Sequence, residues 1–311
     1  MDIITTTFTK LDNFITKSSV ITIGSFDGVH LAHQDIFHKM NTYSQDLTKV
    51  VITFHPHPYF VLSKEKTKKQ FLLTDFDEKC KILDKCNIDK LIVIKFTKHT
   101  SKVTAERFLE KLIKSFNPLN FIMGFNHNFG FQRKGDYNFV NNYPNKKFDV
   151  ISIKKKNINL LPISSSIIRK HIKSNQIELA NKLLGRKYKI EGNVVKGKGI
   201  GRTINFPTLN IKVKNKFKLL PSRGVYFIEI LIKKEKFIGM CNIGFRPTLT
   251  NDKEESIEVH IFSDNIISNY YNDTVIIYFL KYIRNEIKFK NLDFLKRQLE
   301  KDKKYCLSID T

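Results

Sequence analysis

Tryptophan is absent from this chain of 311 residues, and its four cysteines, Cys80, Cys86, Cys241 and Cys306, form no CxxC pair. That spacing suggests neither a zinc site nor a disulfide framework. Reduced thiols in a cytosolic protein are the simplest reading. Long apolar runs are missing too: no stretch is long enough to span a bilayer. The opening MDIITTTFTKLDNF carries an acidic residue at once and lacks the apolar core of a secretory signal. A soluble, cytoplasmic protein with no membrane partner is expected. Acidic side chains are scarce, 30 Asp+Glu against 54 Lys+Arg, which leaves a formal charge of +24. Such a balance favours anionic partners, nucleotides or nucleic acid. The lysines are scattered and accompanied by many Asn, Ile and Phe, so the charge reads as compositional drift, with a basic nucleic-acid-binding protein as the alternative. The length exceeds one ordinary domain, and 41% hydrophobic residues can fill two cores. Nothing in the sequence requires an oligomer.

What is present concentrates in a few stretches. VITIGSFDGVHLAHQ, residues 20–34, reads as a buried parallel strand (Val20, Ile21, Ile23), a tight turn through Gly24, Phe26, Asp27 and Gly28, and a helix opening on His30 and His33. Open α/β sheets hold ligands at the carboxyl ends of their strands, and the first amides of a helix attract anions. It reads as a phosphate-handling corner. Two imidazoles three residues apart lie on one helix face, where they can donate to polyphosphate oxygens and stabilise a departing pyrophosphate without a metal. Taken alone, two histidines near a helix start are more often ordinary surface or core residues than catalytic ones. A metal site of His30, His33, His55 and His57 is a further reading, without an obvious acidic partner.

The following segments alternate. HQDIFHKMNTYSQ has helical spacing, KVVITFHPHPYFVL is a strand running into a Pro-rich loop, and TDFDEKCKILDKCN is a helix with acidic residues in its first turn. KLIVIKF and TAERFLEKLIKSF repeat the strand–helix pattern, which predicts a doubly wound parallel sheet. FIMGFNHNFGFQRKGD adds a strand and a polar Gly/Asn turn, with Arg133 and Lys134 available to phosphate. In ISSSIIRKHIKSN, Ser164, Ser165 and Ser166 cluster at a helix start and Arg169 follows; this is either a site for ATP phosphates or a capping run with a surface arginine.

From about Lys187 the rhythm changes to short β-type runs separated by Gly, Pro and Asn, which predicts a small antiparallel barrel closed off by a terminal helix in LDFLKRQLEKDKKYC. In GNVVKGKGIGRTINFPTLNI, Gly197, Gly199 and Gly201 can wrap phosphates with backbone amides, while Thr208 and Asn210 offer oxygens to Mg2+. No GK[ST] follows, so this is not a Walker loop. Glu258 in SIEVHIF could accept a proton from an attacking hydroxyl, or simply face solvent.

These stretches, in this order, resemble the bacterial bifunctional riboflavin kinase/FAD synthetase family, whose amino-terminal half belongs to the HxGH nucleotidylyltransferases. The resemblance rests on Gly24, Phe26, Asp27, Gly28, Val29, His30, His33 and Gln34, with Ala32 where the family has glycine. It continues through His57 in a Pro-His-Pro and the segment around Asn126, where Asn126 replaces an Asp and His127 an aromatic. It includes an I-S-S-T-x-I-R pattern carried by Ser164, Ser165, Ser166 and Arg169. In the second half it covers G-x-x-x-G-R-x-x-G-F-P-T-A-N at Gly197, Gly201, Arg202, Phe206, Pro207, Thr208 and Asn210, with Asn205 for Gly and Leu209 for Ala. Gly224, Val225, Tyr226, then Asn242, Gly244, Arg246, Pro247 and Thr248, then Glu258, and finally Arg284 and Phe289 complete it.

The resemblance implies an α/β, Rossmann-like nucleotidylyltransferase domain over residues 1–186 and a small antiparallel β-barrel riboflavin kinase domain with a C-terminal helix over residues 187–311. It implies phosphorylation of riboflavin to FMN and adenylylation of FMN to FAD, with ATP as co-substrate and Mg2+ as cofactor. Glu258, His30 and His33 would be catalytic, Thr208 and Asn210 would hold metal, and His57, Phe96, Asn242, Arg284 and Phe289 would approach the flavin; for Phe96 and Phe108 a core position is the alternative. A kinase whose adenylyl-transfer half is weakened by Ala32, Asn126 and His127 is the rival within the family.

Overall fold

A computed structural model describes residues 1–14, 16–63, 71–158, 161–197, 199–245, 255–263 and 270–309, apart from the side chains of Ile200 and Arg202. It divides into two compact units, Met1–Ser165 and Ser166–Thr311.

The first unit runs β1 (Asp2–Thr6), a 3-10 turn (Phe8–Asn13), β2 (Ser19–Ile23), α1 (Leu31–Met40), β3 (Thr48–His55), α2 (Pro58–Leu62), α3 (Phe76–Asp84), β4 (Lys90–Lys95), α4 (Ala105–Phe116), β5 (Pro118–Gly124), α5 (Tyr137–Asn141) and β6 (Asp149–Ile153), followed by a two-residue pair, β7 (Asn157–Ile158) and β8 (Leu161–Pro162). Six strands form a parallel sheet in the order β1-β4-β3-β2-β5-β6. Both faces are covered, which is why the central strands read as unbroken apolar runs. Ile21, Ile23, Val50 and Ile52 enter one core with Phe108, Leu112 and Phe116 of α4. Val20 and Val51 enter the other with Ile36, Phe37 and Met40 of α1. The chain lays β3 and β4 on one side of β2 and then returns to place β5 on its other side, so the strand order reverses between β2 and β5, where such sheets bind ligands. Edge strand β1, pairing Asp2 to Lys90 through Thr6 to Ile94, is an addition to the sequence reading.

The second unit begins with α6 (Ser165–Lys173, its first residue belonging to the first unit) and α7 (Ile177–Leu184). It continues through β9 (Tyr188–Val195), α8 (Ile200–Thr203), β10 (Leu209–Val213), β11 (Gly224–Ile232), β12 (Glu235–Phe245), β13 (Glu255–Ile261), β14 (Thr274–Arg284) and α9 (Leu292–Leu307). The strands close an antiparallel barrel in the order β10-β13-β12-β11-β14-β9, which leaves no free edge. Alternation puts Tyr226, Ile228, Ile230, Cys241, Ile243, Ile257 and Val259 in its packed interior. On the outer face Val225 and Met240 join Ile204 and Phe206, with Leu295 and Leu299 of α9 against them. α7 is pinned to the barrel by Asn181, which accepts from the Tyr188 N–H at 2.7 Å and donates to the Phe279 carbonyl at 2.8 Å. Parallel-sheet unit, barrel and final helix are the architecture expected. Among the described residues no helix is long and apolar enough to cross a membrane.

Candidate active sites

The corner after β2 is a bent backbone held from below. Phe26 (φ 45), Gly28 (φ 86) and Val29 (φ 38) all adopt left-handed conformations, which cost energy for the two side-chain-bearing residues and persist only where surroundings over-determine them. A Cβ on Gly24 would come 2.9 Å from the Phe26 ring, so glycine there lets the ring fold back over the strand end. Asp27 is 1% exposed. Its carboxylate accepts from the Leu73 and Thr74 amides at 3.0 and 3.1 Å, and the Thr74 hydroxyl accepts in turn from the Gly28 N–H at 3.1 Å. The Asp27 carbonyl accepts from Ser165 Oγ at 2.8 Å, so this member of the serine cluster meets the turn directly. Asp27 is therefore turned into the protein as an anchor of the corner.

His30 caps α1, its Nδ1 accepting from the His33 N–H at 3.4 Å. The two imidazoles stack with centroids 3.6 Å apart and 15° between planes, and Phe26 meets His33 edge-on at 5.2 Å. The pair thus forms one block at the carboxyl end of the sheet. At the ends of neighbouring strands stand other predicted residues. His55 and His57 follow β3; His57 caps α2, accepting from the Tyr59 N–H at 3.2 Å, and lies 5.2 Å from Phe71, which stacks on Tyr59 at 4.0 Å. Burial and the nearby Lys79 hold the His55 imidazole below its usual range. Half-buried Phe96 follows β4 against Phe54, whereas Phe108 is core. Asn126 and His127 follow β5; Asn126 is exposed, while burial and Arg133 hold the His127 imidazole down at about 4. Ser164 is half-buried beside Ser165; exposed Ser166 and half-buried Arg169 lie on α6 in the second unit.

On the barrel, register brings the predicted polar residues together. Asn210 of β10 pairs with Glu258 of β13, and Glu258 pairs on its other side with Asn242 of β12. Directly opposed residues of antiparallel strands project from the same face, so Asn210, Glu258 and Asn242 form one polar row on the outside of the barrel. Thr208, two residues before Asn210, is exposed. Gly197 is required by close approach: a Cβ there would collide with the Asn210 side-chain amide. Gly199 is left-handed (φ 74) and has open space where a side chain would be, and a Cβ on Gly201 would strike the Phe206 carbonyl. Asn205 takes φ 60, a left-handed conformation that asparagine shares with the glycine it replaces. His260, on the same strand face as Glu258, donates from Nδ1 to the Pro207 carbonyl at 2.9 Å and steadies the loop before Thr208. Burial pushes the Cys241 thiol up, the Glu258 charge adding to the effect.

Arg284 lies at the end of the same sheet, but most of its guanidinium is committed to α9. Nε bonds Asp302 Oδ1 and Oδ2 at 3.1 and 2.9 Å, Nη2 bonds Oδ2 at 2.7 Å, and Nη1 the Asn285 carbonyl at 2.9 Å. Phe289 is half-buried in the connection to α9. The Arg202 side chain and residues Arg246, Pro247 and Thr248 lie outside the described residues. Three contributors had no sequence signal. Thr74 and Lys79 support the first corner from the start of α3, and Glu286 brings a carboxylate against Gly244 beside Asn242.

Comparison with known proteins agrees with this division of chemistry. A family model described as FAD synthetase matches residues 13–167, and one described as riboflavin kinase matches residues 184–309. The bifunctional riboflavin kinase/FMN adenylyltransferase of Bacillus subtilis (strain 168) is 35% identical over 293 residues, covering 93% of this chain and 92% of that one. The protein of the same description from Escherichia coli (strain K12) is 32% identical over 291 residues, covering 92% and 91%. A crystal structure described as a macrolide-efflux protein from Streptococcus pneumoniae matches with TM-score 0.90 and 29% identity over 100% of both chains; its likeness is one of fold, and efflux is said of that protein alone. With relatives of this kind aligned along nearly its whole length, the chain belongs to the bifunctional riboflavin kinase/FMN adenylyltransferase family.

Proposed function

We propose that this chain converts riboflavin to FAD in two ATP-dependent steps, with residues 187–311 phosphorylating riboflavin and residues 1–186 transferring AMP to the FMN formed. The observation that carries the reading is the barrel register that stands Glu258 between Asn210 and Asn242. In the kinase step the ribityl 5′-hydroxyl oxygen attacks the γ-phosphorus of ATP, the bond to ADP breaks, and Glu258 takes the hydroxyl proton. The amides around Gly197, Gly199 and Gly201, with Arg202, face the phosphates, and Asn242 orients the flavin. The donor set fits a hard cation: Thr208 and Asn210 offer neutral oxygens and Gly197 leaves room at Asn210, so these two residues would hold Mg2+. Bound there, Mg2+ supplies neutralisation of phosphate charge.

In the second step an FMN phosphate oxygen attacks the α-phosphorus of ATP and pyrophosphate leaves. The nucleophile is already anionic, so no side-chain base is needed. His30 and His33 donate to the departing phosphates, Gly24, Phe26 and Gly28 shape the cradle, and Asp27 with Ser165 keeps it in place. Ser164 assists on the triphosphate, Asn126 on the nucleoside, and His57 and Phe96 border the flavin. For Arg284 the bonds to Asp302 favour an indirect part, holding α9 over the end of β14, where Phe289 meets the flavin. The four cysteines are free thiols, in keeping with a cytoplasmic enzyme.

The test is chromatography of riboflavin incubated with ATP, Mg2+ and the purified chain. FMN followed by FAD is expected. FMN alone would leave only the kinase half of the proposal, and no flavin product would overturn it.

A further inference from the structure

Lys79 is an ammonium only 5% exposed, in the first turns of α3, and nothing in the adenylyl-transfer chemistry uses it. A lysine is almost never buried unless its charge is answered. Here the answer is the phosphate corner itself. Nζ donates to the Ser25 carbonyl at 2.7 Å; burial works against the ammonium charge, and the negative charge of Asp27 partly offsets this. Thr53 Oγ1 approaches the same carbonyl more loosely, at 3.4 Å.

The peptide joining Ser25 to Phe26 is trans, the His55–Pro56 bond being the cis one. In a planar trans peptide the carbonyl and the following N–H point in opposite directions. A carbonyl drawn down onto Lys79 therefore turns the Phe26 N–H to the far side of the turn. Among the described residues neither the Ser25 nor the Phe26 N–H has a hydrogen-bond partner, and Phe26 as a whole is 3% exposed. A buried amide without a partner is rare and calls for an explanation. Successive backbone N–H groups at such a turn make a concavity for anions.

We infer that Lys79 is a positioning residue for polyphosphate: by holding the Ser25 carbonyl it aims the Phe26 N–H at an oxygen of the pyrophosphate portion of a nucleoside triphosphate. The inference rests on reading the first unit as an adenylyltransferase. It explains why a charge is spent beneath a backbone turn: a cation there holds the peptide plane that presents the Phe26 N–H. Lys79 touches no reacting atom, so its loss acts through the amide.

The experiment uses the full chain, with Lys79→Met, Lys79→Arg and the double variant Lys79→Met/Asp27→Asn, in which the Lys79 and Asp27 charges are both removed. FAD formation from FMN and ATP, inhibition by inorganic pyrophosphate, the KM for FMN, riboflavin phosphorylation and thermal unfolding are measured on the same samples. For Lys79→Met, kcat for FAD formation falls about 10- to 100-fold and the inhibition constant for pyrophosphate rises about 10-fold, while the KM for FMN and riboflavin phosphorylation stay within about twofold. Lys79→Arg, which keeps a cationic donor, recovers most of the loss. The double variant, which also loses the carboxylate that anchors the corner, makes no more FAD than Lys79→Met. The inference is overturned if Lys79→Met keeps its pyrophosphate affinity and rate, or if the double variant, once refolded to normal stability, makes FAD at the wild-type rate; either result makes Lys79 a structural residue only. If the wild-type chain makes no FAD, the reading of the first unit fails, independently of Lys79.

Discussion

At the end of β2 the proposed adenylyl-transfer site is a backbone bent into three left-handed residues and held by Asp27, Thr74 and Ser165. On the barrel the proposed kinase site is a straight ladder, with Asn210, Glu258 and Asn242 standing side by side because three strands are in register. The first design is local along the chain but depends on buried polar groups beneath it. The second depends on long-range pairing but asks little of any one backbone angle. The first site should therefore fail through its supports, and the second through the side chains of the row and the close contacts that hold them.

The largest expected effect tests whether the two sites are separate at all. Glu258→Gln should lower riboflavin phosphorylation about 10²- to 10⁴-fold, the contribution of a general base, with adenylylation of supplied FMN unchanged. His30→Ala should do the converse, lowering FAD formation about 10²- to 10³-fold with FMN production intact. Both are read by chromatography of flavin products from riboflavin or from FMN. A substitution that damaged both activities equally would break the comparison.

A smaller effect sharpens the point about close approach on the barrel. Gly197→Ala puts a methyl into the Asn210 amide and should cost the kinase about tenfold, as a misplaced ligand group does. Gly199→Ala meets open space, and its cost is only the strain of an alanine at φ 74, about 1 kcal/mol in unfolding free energy. Kinase rates and melting of the two variants, side by side, separate contact from conformation. Equal kinase losses would show that the loop's shape matters and its contact with Asn210 does not.

The first unit also carries a pH signature. The His127 imidazole is held at about 4 in the folded chain, below its usual 6.5, because burial and Arg133 disfavour its charged form. As pH falls below about 6.5 the unfolded chain takes the proton first, so stability is complete above that pH and declines as pH approaches 4. Between pH 7.5 and 5.5 the decline attributable to His127 is about 1 kcal/mol, and His127→Phe should remove it. Urea unfolding of both proteins at the two pH values measures it; parallel pH dependences would count against the burial of this ring.

How much of this was legible in the residues follows from where each determinant lies. The central strands were readable because β2 and β3 are covered on both faces, and the corner was readable because glycine, aspartate and two histidines stand within one turn of each other. Edge strand β1 was not, since DIITT is short and half exposed and earns its place by pairing with β4. Lys79 was invisible because lysine in a first helical turn ordinarily faces water, and only the tertiary fold sets it under the Ser25 carbonyl. The strands carrying Asn210, Asn242 and Glu258 were foreseen, but their alignment in one row is a matter of register, which no local pattern contains. Arg284 was read toward the flavin, and its bonds to Asp302 appear only once α9 is folded against the barrel.

The departures from the family pattern divide along the same line, and the smallest expected effect tests that division. Asn205 stands where the family has glycine, at φ 60. Asparagine reaches this conformation at little cost because its short amide can bond locally, whereas alanine pays roughly 1 kcal/mol. Asn205→Gly should therefore leave thermal stability and riboflavin phosphorylation within error of the wild type. Asn205→Ala should lower stability by about 1 kcal/mol, measured by urea unfolding, with a comparable small loss of kinase activity as the segment before Thr208 loosens. If alanine is tolerated as well as glycine, the left-handed turn is not what this position demands. If glycine is harmful, the Asn205 side chain has a part beyond conformation, and the kinase loop would then depend on its supports as the first corner does.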